Sequence, residues 1–273
     1  MDLDETLLSS DKHVCDLNKK ALERARSQGI HTVIATGRPW FSFAHTLDEI
    51  KTKELPDEYS ISLNGGAIVK NGTGEIVFLD GMEFSRINEL FLKGLNYDVF
   101  MHVYTTDAVY GWNLDEDERE FLKGRLDIHE LEEPDLSFLK DESFVKILFG
   151  RTDMNYLHAI ENDMEGQLDD LDVSYSSNRY IEFNKKGVSK GTGLKHLARI
   201  YGLQISECAA VGDNLNDLSM IEQAGIGIAV GNALDEIKAA ADWILEADHN
   251  HGAIAQAVEK IEAYNEKEPE ATL

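Results

Sequence analysis

Gly29-Ile30-His31-Thr32-Val33-Ile34-Ala35-Thr36-Gly37-Arg38-Pro39 is the stretch on which the fold turns. Ile30 to Ala35 reads as a short buried strand that runs into a Thr-Gly turn and a proline. Just before it, Val14, Leu17, Ala21, Leu22 and Ala25 recur at helical spacing, and Gly29 stops the helix. Beyond it come a second helical stretch and another apolar run, Tyr59 to Leu63, closed by Asn64-Gly65-Gly66. Helices alternating with short apolar strands predict an α/β core: a doubly wound parallel sheet with helices on both faces.

The rhythm then changes. Ala67 to Val69 and Glu75 to Leu79 flank Asn71-Gly72-Thr73-Gly74, a hairpin signal. A helix is expected around Phe84 to Leu95, with strands at Val99 to Tyr104, Ala108 to Trp112, Phe144 to Phe149, Val173 to Ser176 and Arg179 to Phe183. This mixture predicts an inserted α+β unit over residues 80–184, inside a core made of 1–79 and 185–273. Between Asp115 and Glu142 stand twelve acidic and four basic residues, which read as a solvated face. The α/β alternation resumes after Gly187. Strands are expected at Cys208 to Val211, Ile226 to Val230 and Trp243 to Leu245, before a last helix through Ile254, Ala257, Val258 and Ile261. The polar tail from Glu266 is expected to fray.

Composition excludes several classes of function. A net charge of −25 repels nucleic acid and anionic lipid, so neither is expected as a partner. No apolar run approaches the ~20 residues that span a bilayer. The beginning Met1-Asp2-Leu3-Asp4 has no signal-peptide character, and the expected address is the cytoplasm. Cys15 and Cys208 share no metal-site spacing with each other or with histidine, and suit a reducing compartment. The same negative charge would repel a phosphate ester, so any phosphate site must bring its own cation.

Four segments supply such a site. Ligands in open α/β sheets bind beyond the carboxyl ends of the strands. Asp2 and Asp4 are two apart, which puts both carboxylates on one side of extended backbone. One can act as nucleophile and the other as acid and base. Asp213, in Gly212-Asp213-Asn214-Leu215-Asn216-Asp217, ends an apolar strand in oxygen donors, and with Asp2 it meets the needs of magnesium (Mg2+). Lys190, between glycines in Gly187-Val188-Ser189-Lys190-Gly191, supplies the cation. Thr36 and Gly37 offer a hydroxyl and an N–H to an anion. Taken singly, each segment also has an ordinary reading as a cap, a turn or a surface loop; as a set they provide what phosphoryl transfer needs.

With Asp2-Leu3-Asp4-Glu5-Thr6-Leu7-Leu8, Ala35-Thr36-Gly37-Arg38, Asn64-Gly65-Gly66-Ala67, Gly187 to Gly191, Gly212 to Asp217 and Gly231-Asn232-Ala233, the sequence resembles the haloacid dehalogenase (HAD) superfamily. It looks most like the Cof-type sugar-phosphate phosphatases with a type C2 cap. The resemblance implies a HAD-like core, the insert as cap, and a small phosphorylated metabolite as partner. It implies a phosphate carried on Asp2, with Asp4 protonating the leaving oxygen and then activating water. Magnesium would be held by Asp2, the Asp4 carbonyl and Asp213. Phosphate would be held by Thr36, Gly37, Lys190 and the Leu3 N–H, supported by Asn216, with Asp217 behind them. Arg38 would reach the substrate or pair with a carboxylate. His102, Tyr104, Tyr180 and Asn184 are polar or aromatic candidates on cap strands, weighed against ordinary packing roles.

Two departures from the family stand out. Glu5 takes the place of a glycine, which requires its side chain to face solvent. Only Met1 precedes Asp2, where the family has a buried apolar strand. The expectation is a start further upstream, or else an impaired protein that binds phosphorylated metabolites without turning them over. A third reading keeps the fold and moves phosphate between substrate positions, as in related mutases.

Overall fold

Asp16 rather than Val14 opens the first helix, and this sets which residues face inward. In the computed structural model, which describes residues 1–266, α1 (Asp16–Ser27) buries Asn18, Ala21, Leu22 and Ala25. Leu17, expected on that face, is 61% exposed. Asn18 takes the inner position because its polar atoms are satisfied there: its amide donates to the Leu7 carbonyl (3.4 Å) and accepts from the Ala255 N–H (3.0 Å). The expected fraying of the tail concerns mainly 267–273, outside the described residues.

The chain separates into two units, one of residues 1–79 and 189 onward, the other Asp80–Val188. In the first, α2 (Trp40–Glu49) is followed by β1 (Tyr59–Ser62), β2 (Ala67–Lys70) and β3 (Ile76–Leu79). These three strands form an antiparallel sheet, and β2 and β3 flank the expected hairpin turn.

The strand expected at Ile30 to Ala35 is present only as extended chain with a single parallel bridge, Ala35 to Ile61. On one side Ile61 N–H donates to Ile34 O (2.8 Å) and Thr36 N–H to Ile61 O (2.9 Å). On the other, its partner is Met1: the terminal amine donates to Val33 O (3.0 Å), and Ala35 N–H donates to Met1 O (2.8 Å). Too few ladder bonds form on either side for a regular strand.

The second unit comprises α3 (Phe84–Gly94), β4 (Phe100–Thr105), β5 (Val109–Trp112), α4 (Glu116–Leu122), β6 (His129–Glu130), β7 (Phe144–Gly150), α5 (Met154–Asp163), β8 (Leu171–Ser176) and β9 (Tyr180–Lys185). Its strands make one six-stranded sheet in the order β6-β5-β4-β7-β9-β8. Strand alternation divides the sheet faces. Met101, Val103, Ile147, Phe149, Ile181 and Phe183 form a core with Phe91 of α3 and Leu157 of α5. The opposite face carries His102, Tyr104, Lys146, Tyr180, Glu182 and Asn184, placed together by the β4–β7–β9 register.

The acidic stretch is not wholly a solvated face. Glu118 is fully buried, accepting from Tyr180 Oη (2.5 Å) and Arg179 Nη1 (2.8 Å). Partners some sixty residues away make that burial possible, and no local pattern announces them.

The chain returns to the first unit with α6 (Lys190–Tyr201), β10 (Ala209–Gly212), α7 (Leu218–Gln223), β11 (Ile226–Ala229), α8 (Asp235–Ala240), β12 (Trp243–Ile244) and α9 (Ala253–Asn265). Strands β10, β11 and β12 are parallel. Asp2 N–H donates to Val211 O of β10 (2.8 Å), so Met1 and Asp2 join this sheet to the extended 30–35 segment. The core of the first unit is α/β, with a parallel half and an antiparallel margin. No helix among the described residues is long and apolar enough to cross a membrane.

Candidate active site

Leu3, Leu7 and Leu8 are buried, and the N–H groups of Leu7 and Leu8 both donate back to Leu3 O (3.2 and 2.9 Å). This turn leaves Asp2 at the end of its short extended run, facing the loop after β10. Carboxylate oxygens of Asp2, Asp213 and Asp217 lie within 4.8 Å of one another, and all three residues are buried. Residues more than two hundred positions apart thus meet at one point, within reach of a single cation.

Lys190 sits against this group. Ser189 caps α6 through a reciprocal box with Thr192, which places Lys190 in the first helical turn. Its ammonium, fully buried, pairs with Asp2 and donates to Asp217 Oδ1 (2.6 Å). Burial acts to lower the pKa of the amine, but Asp2 and Asp217 outweigh it and raise it, so Lys190 stays charged. Gly65 is required for this packing. It has φ of +96°, and a Cβ there would lie 2.0 Å from the Ser189 carbonyl oxygen, just before Lys190.

Asp217 uses both its oxygens on protein. Oδ1 takes Lys190, while Oδ2 accepts the N–H groups of Asp213 (2.9 Å) and Asn214 (3.1 Å). It therefore shapes the loop that carries Asp213. Asp213 accepts from Thr6 Oγ1 (2.6 Å), a partner that sequence reasoning missed. Burial, with Asp2 and Asp217 adding to it against the Thr6 bond, pushes the Asp213 carboxyl up to about 7. Burial likewise drives Asp2 up to about 6 against the pull of Lys190. Three buried carboxylates facing one ammonium lack positive charge, and their oxygens suit a hard cation such as magnesium.

Asp4 stands apart from the three. Its carboxylate is gripped by Arg38 through Nε (2.8 Å) and Nη2 (2.5 Å), with Lys12 at 3.3 Å. Burial alone would raise this carboxyl, but Arg38 and then Lys12 overcome it and hold it below the usual carboxylate range. Arg38 thus pairs with a carboxylate, one of its two expected roles.

Thr36 is buried, and its hydroxyl accepts the Arg38 N–H (3.1 Å). Asn64 donates its N–H to Thr36 O (2.9 Å), its side chain packs against Gly37, and Asn216 Nδ2 donates to its Oδ1 (3.2 Å). The Thr36-Gly37 turn is thereby linked to the loop after β10. Leu63, Asn64 and Gly65 all have positive φ, a conformation signalled in the sequence only by the Asn-Gly-Gly run. Glu5 is exposed with φ of +58°, in the left-handed region that favours glycine.

Residues 1–258 match the sequence model of the haloacid dehalogenase-like hydrolases. The chain is 30% identical to Phosphatase YwpJ of Bacillus subtilis over 92% of its own length and 95% of the relative's. It is 26% identical to the 5-amino-6-(5-phospho-D-ribitylamino)uracil phosphatase YcsE of the same organism, covering 94% and 92% of the two chains. Among solved structures, a haloacid dehalogenase-like hydrolase from Bacteroides thetaiotaomicron superposes with a TM-score of 0.81 at 30% identity, over 95% of this chain and 97% of that one.

Proposed function

Since the chain belongs to the haloacid dehalogenase-like hydrolases, we propose that it is a magnesium-dependent phosphatase of small phosphate monoesters, sugar phosphates among them, working through a phosphorylated Asp2. The observation that carries this reading is the meeting of Asp2, Asp213 and Asp217 around the buried Lys190.

In the first step an Asp2 carboxylate oxygen bonds to phosphorus while the bond from phosphorus to the substrate's ester oxygen breaks. Asp4, once protonated, passes its proton to that leaving oxygen. For this Asp4 must be released from Arg38, and an incoming phosphate ester, itself an anion, competes for the guanidinium. In the second step Asp4 takes a proton from water as the water oxygen bonds to phosphorus, freeing Asp2 and inorganic phosphate. Lys190, the Thr36 hydroxyl and the N–H groups of Gly37 and Leu3 hold the phosphate oxygens, and Asn216 supports them through Asn64. Magnesium would rest on Asp2, Asp213 and the Asp4 carbonyl, and when bound it offsets the negative charge gathered there. Asp217 keeps Asp213 and Lys190 in place.

Sugar phosphates are favoured because a relative of similar length is named for a phosphorylated ribityl compound. We assign selectivity for the leaving group to the inserted unit, which the family resemblance makes the cap; of the candidates on its sheet His102, Tyr104 and Tyr180 are buried, and Asn184 is the one left partly exposed. The two free thiols, Cys15 and Cys208, favour a cytoplasmic setting.

Hydrolysis of a generic aryl phosphate by the purified chain tests the proposal. Turnover is expected with magnesium, lost with chelator, and abolished in Asp2→Asn. Equal activity in that variant removes Asp2 as nucleophile, and phosphate-ester binding without turnover supports a binding protein in place of an enzyme.

A further inference from the structure

We propose that the Gly231–Leu234 turn is a clamp fixing the spacing between the Asp2–Thr6 turn and the Asp213 loop, with Asn232 as its positioning residue. The catalytic part of this inference rests on the phosphatase reading; the structural part does not.

The turn after β11 grips main chain on both sides of the site. Asn232 Nδ2 donates to Glu5 O (2.8 Å), and its Oδ1 accepts the His249 N–H (3.0 Å). Two residues later, Leu234 N–H donates to Asp213 O (3.0 Å). The turn is itself backed by the next segment. Gly231 N–H donates to Ala247 O (2.9 Å), and a Cβ on Gly231 would stand 2.7 Å from Glu246 O. Two residues of one four-residue turn, Asn232 and Leu234, therefore hold the backbone of both carboxylate-bearing segments, using groups that take no part in chemistry.

Glu5 is where the hold matters. At φ of +58° it sits where a side chain is disfavoured, and its side chain is exposed. If Glu5 relaxed toward negative φ, Thr6 would turn with it and its hydroxyl would leave Asp213. The Asn232 bond to the Glu5 carbonyl opposes that relaxation.

A double-mutant cycle decides the matter, with Asn232→Ala, Glu5→Gly and their combination compared by urea unfolding and by aryl-phosphate turnover at saturating magnesium. Asn232→Ala is expected to lower the folding equilibrium constant about tenfold, the usual worth of one such bond. It should lower kcat by a similar factor while leaving KM within about twofold, since phosphate contacts are untouched. Glycine adopts the left-handed turn freely. Glu5→Gly should therefore recover most of the lost kcat in the Asn232→Ala background, and should stabilise the parent, where the bond enforces the disfavoured φ, more than it stabilises Asn232→Ala, where Glu5 is free to relax. Asn232→Asp keeps the acceptor for His249 but loses the donor to Glu5, so it should behave like Asn232→Ala.

Equal effects of Glu5→Gly on stability in the two backgrounds, or a parent-like Asn232→Asp, would overturn the clamp. Should Asn232→Ala alone fail to fold, stabilisation of the parent by Glu5→Gly supports the clamp and its absence refutes it. Unfolding needs no turnover, so an inactive parent protein would sink the phosphatase reading and still leave the clamp decided.

Discussion

Asp213 is held in an unfavourable state for a carboxylate, buried beside two others, and its raised pKa gives a stability test with a definite sign. A folded-state value near 7 against an ordinary value of 3.8 means the folded protein keeps this proton longer than the unfolded chain does. The contribution to stability is full below about pH 4 and is lost as pH rises toward 7. In chelator, Asp213→Asn is therefore expected to be more stable than the parent at pH 7.5 and to lose that advantage at pH 4. Added magnesium should reverse the order at pH 7.5, because only the parent gains a bound cation. Thermal melts in the four conditions check this. At this scale residue type at strand and helix ends was enough to group Asp2, Asp213 and Lys190 in one candidate site, and the three do lie together. It did not disclose that Asp217 spends both oxygens on Lys190 and on the Asp213 loop, because that depends on the orientation of one side chain in a single turn.

Strand β4 of the inserted unit carries a histidine with an unusual environment. His102 is 1% exposed, and neither ring nitrogen makes a hydrogen bond. Glu118 Oε1 stands 3.3 Å from Nε2 without the alignment a hydrogen bond requires. Burial, and then the nearby Lys146, depress the imidazole to about 3. Here the sign is opposite to that of Asp213: the unfolded chain takes up the proton first, so stability is lost as pH falls from about 6.5 toward 3. At pH 5 the loss is on the order of 2 kcal/mol. His102→Leu should flatten that part of the pH dependence in urea titrations between pH 7 and 5. Most elements were legible from periodicity, and five of the six strands of this unit were found within a few residues, the two-residue β6 being missed. Three further features were not legible. The α1 register turned on where the helix starts, the 30–35 strand on how many partners it has, and the burial of Glu118 on Arg179 and Tyr180. Each is settled by contacts distant in sequence.

For the molecule as a whole, a charge of −25 surrounds a site that must admit an anion. The Debye length falls from ~30 Å at 0.01 M salt to ~8 Å at 0.15 M, so added salt screens the repulsion. At saturating magnesium, kcat/KM for an aryl phosphate dianion is expected to rise across that range, whereas a protein steering its substrate in would show a fall. Initial rates at varied sodium chloride concentration read the sign directly.

The join at Met1 and Asp2 has a consequence for deuterium uptake. The parallel strands on one side are regular and the antiparallel strands on the other nearly so, but between them runs a seam held by one bond from Asp2 to Val211 and by two bonds on either side of the 30–35 segment. Sheets ordinarily lose amide protection from their rims inward. In this one the Ala35 and Thr36 amides should label before those of Ile228 and Ala229, so exchange would open the middle of the sheet first.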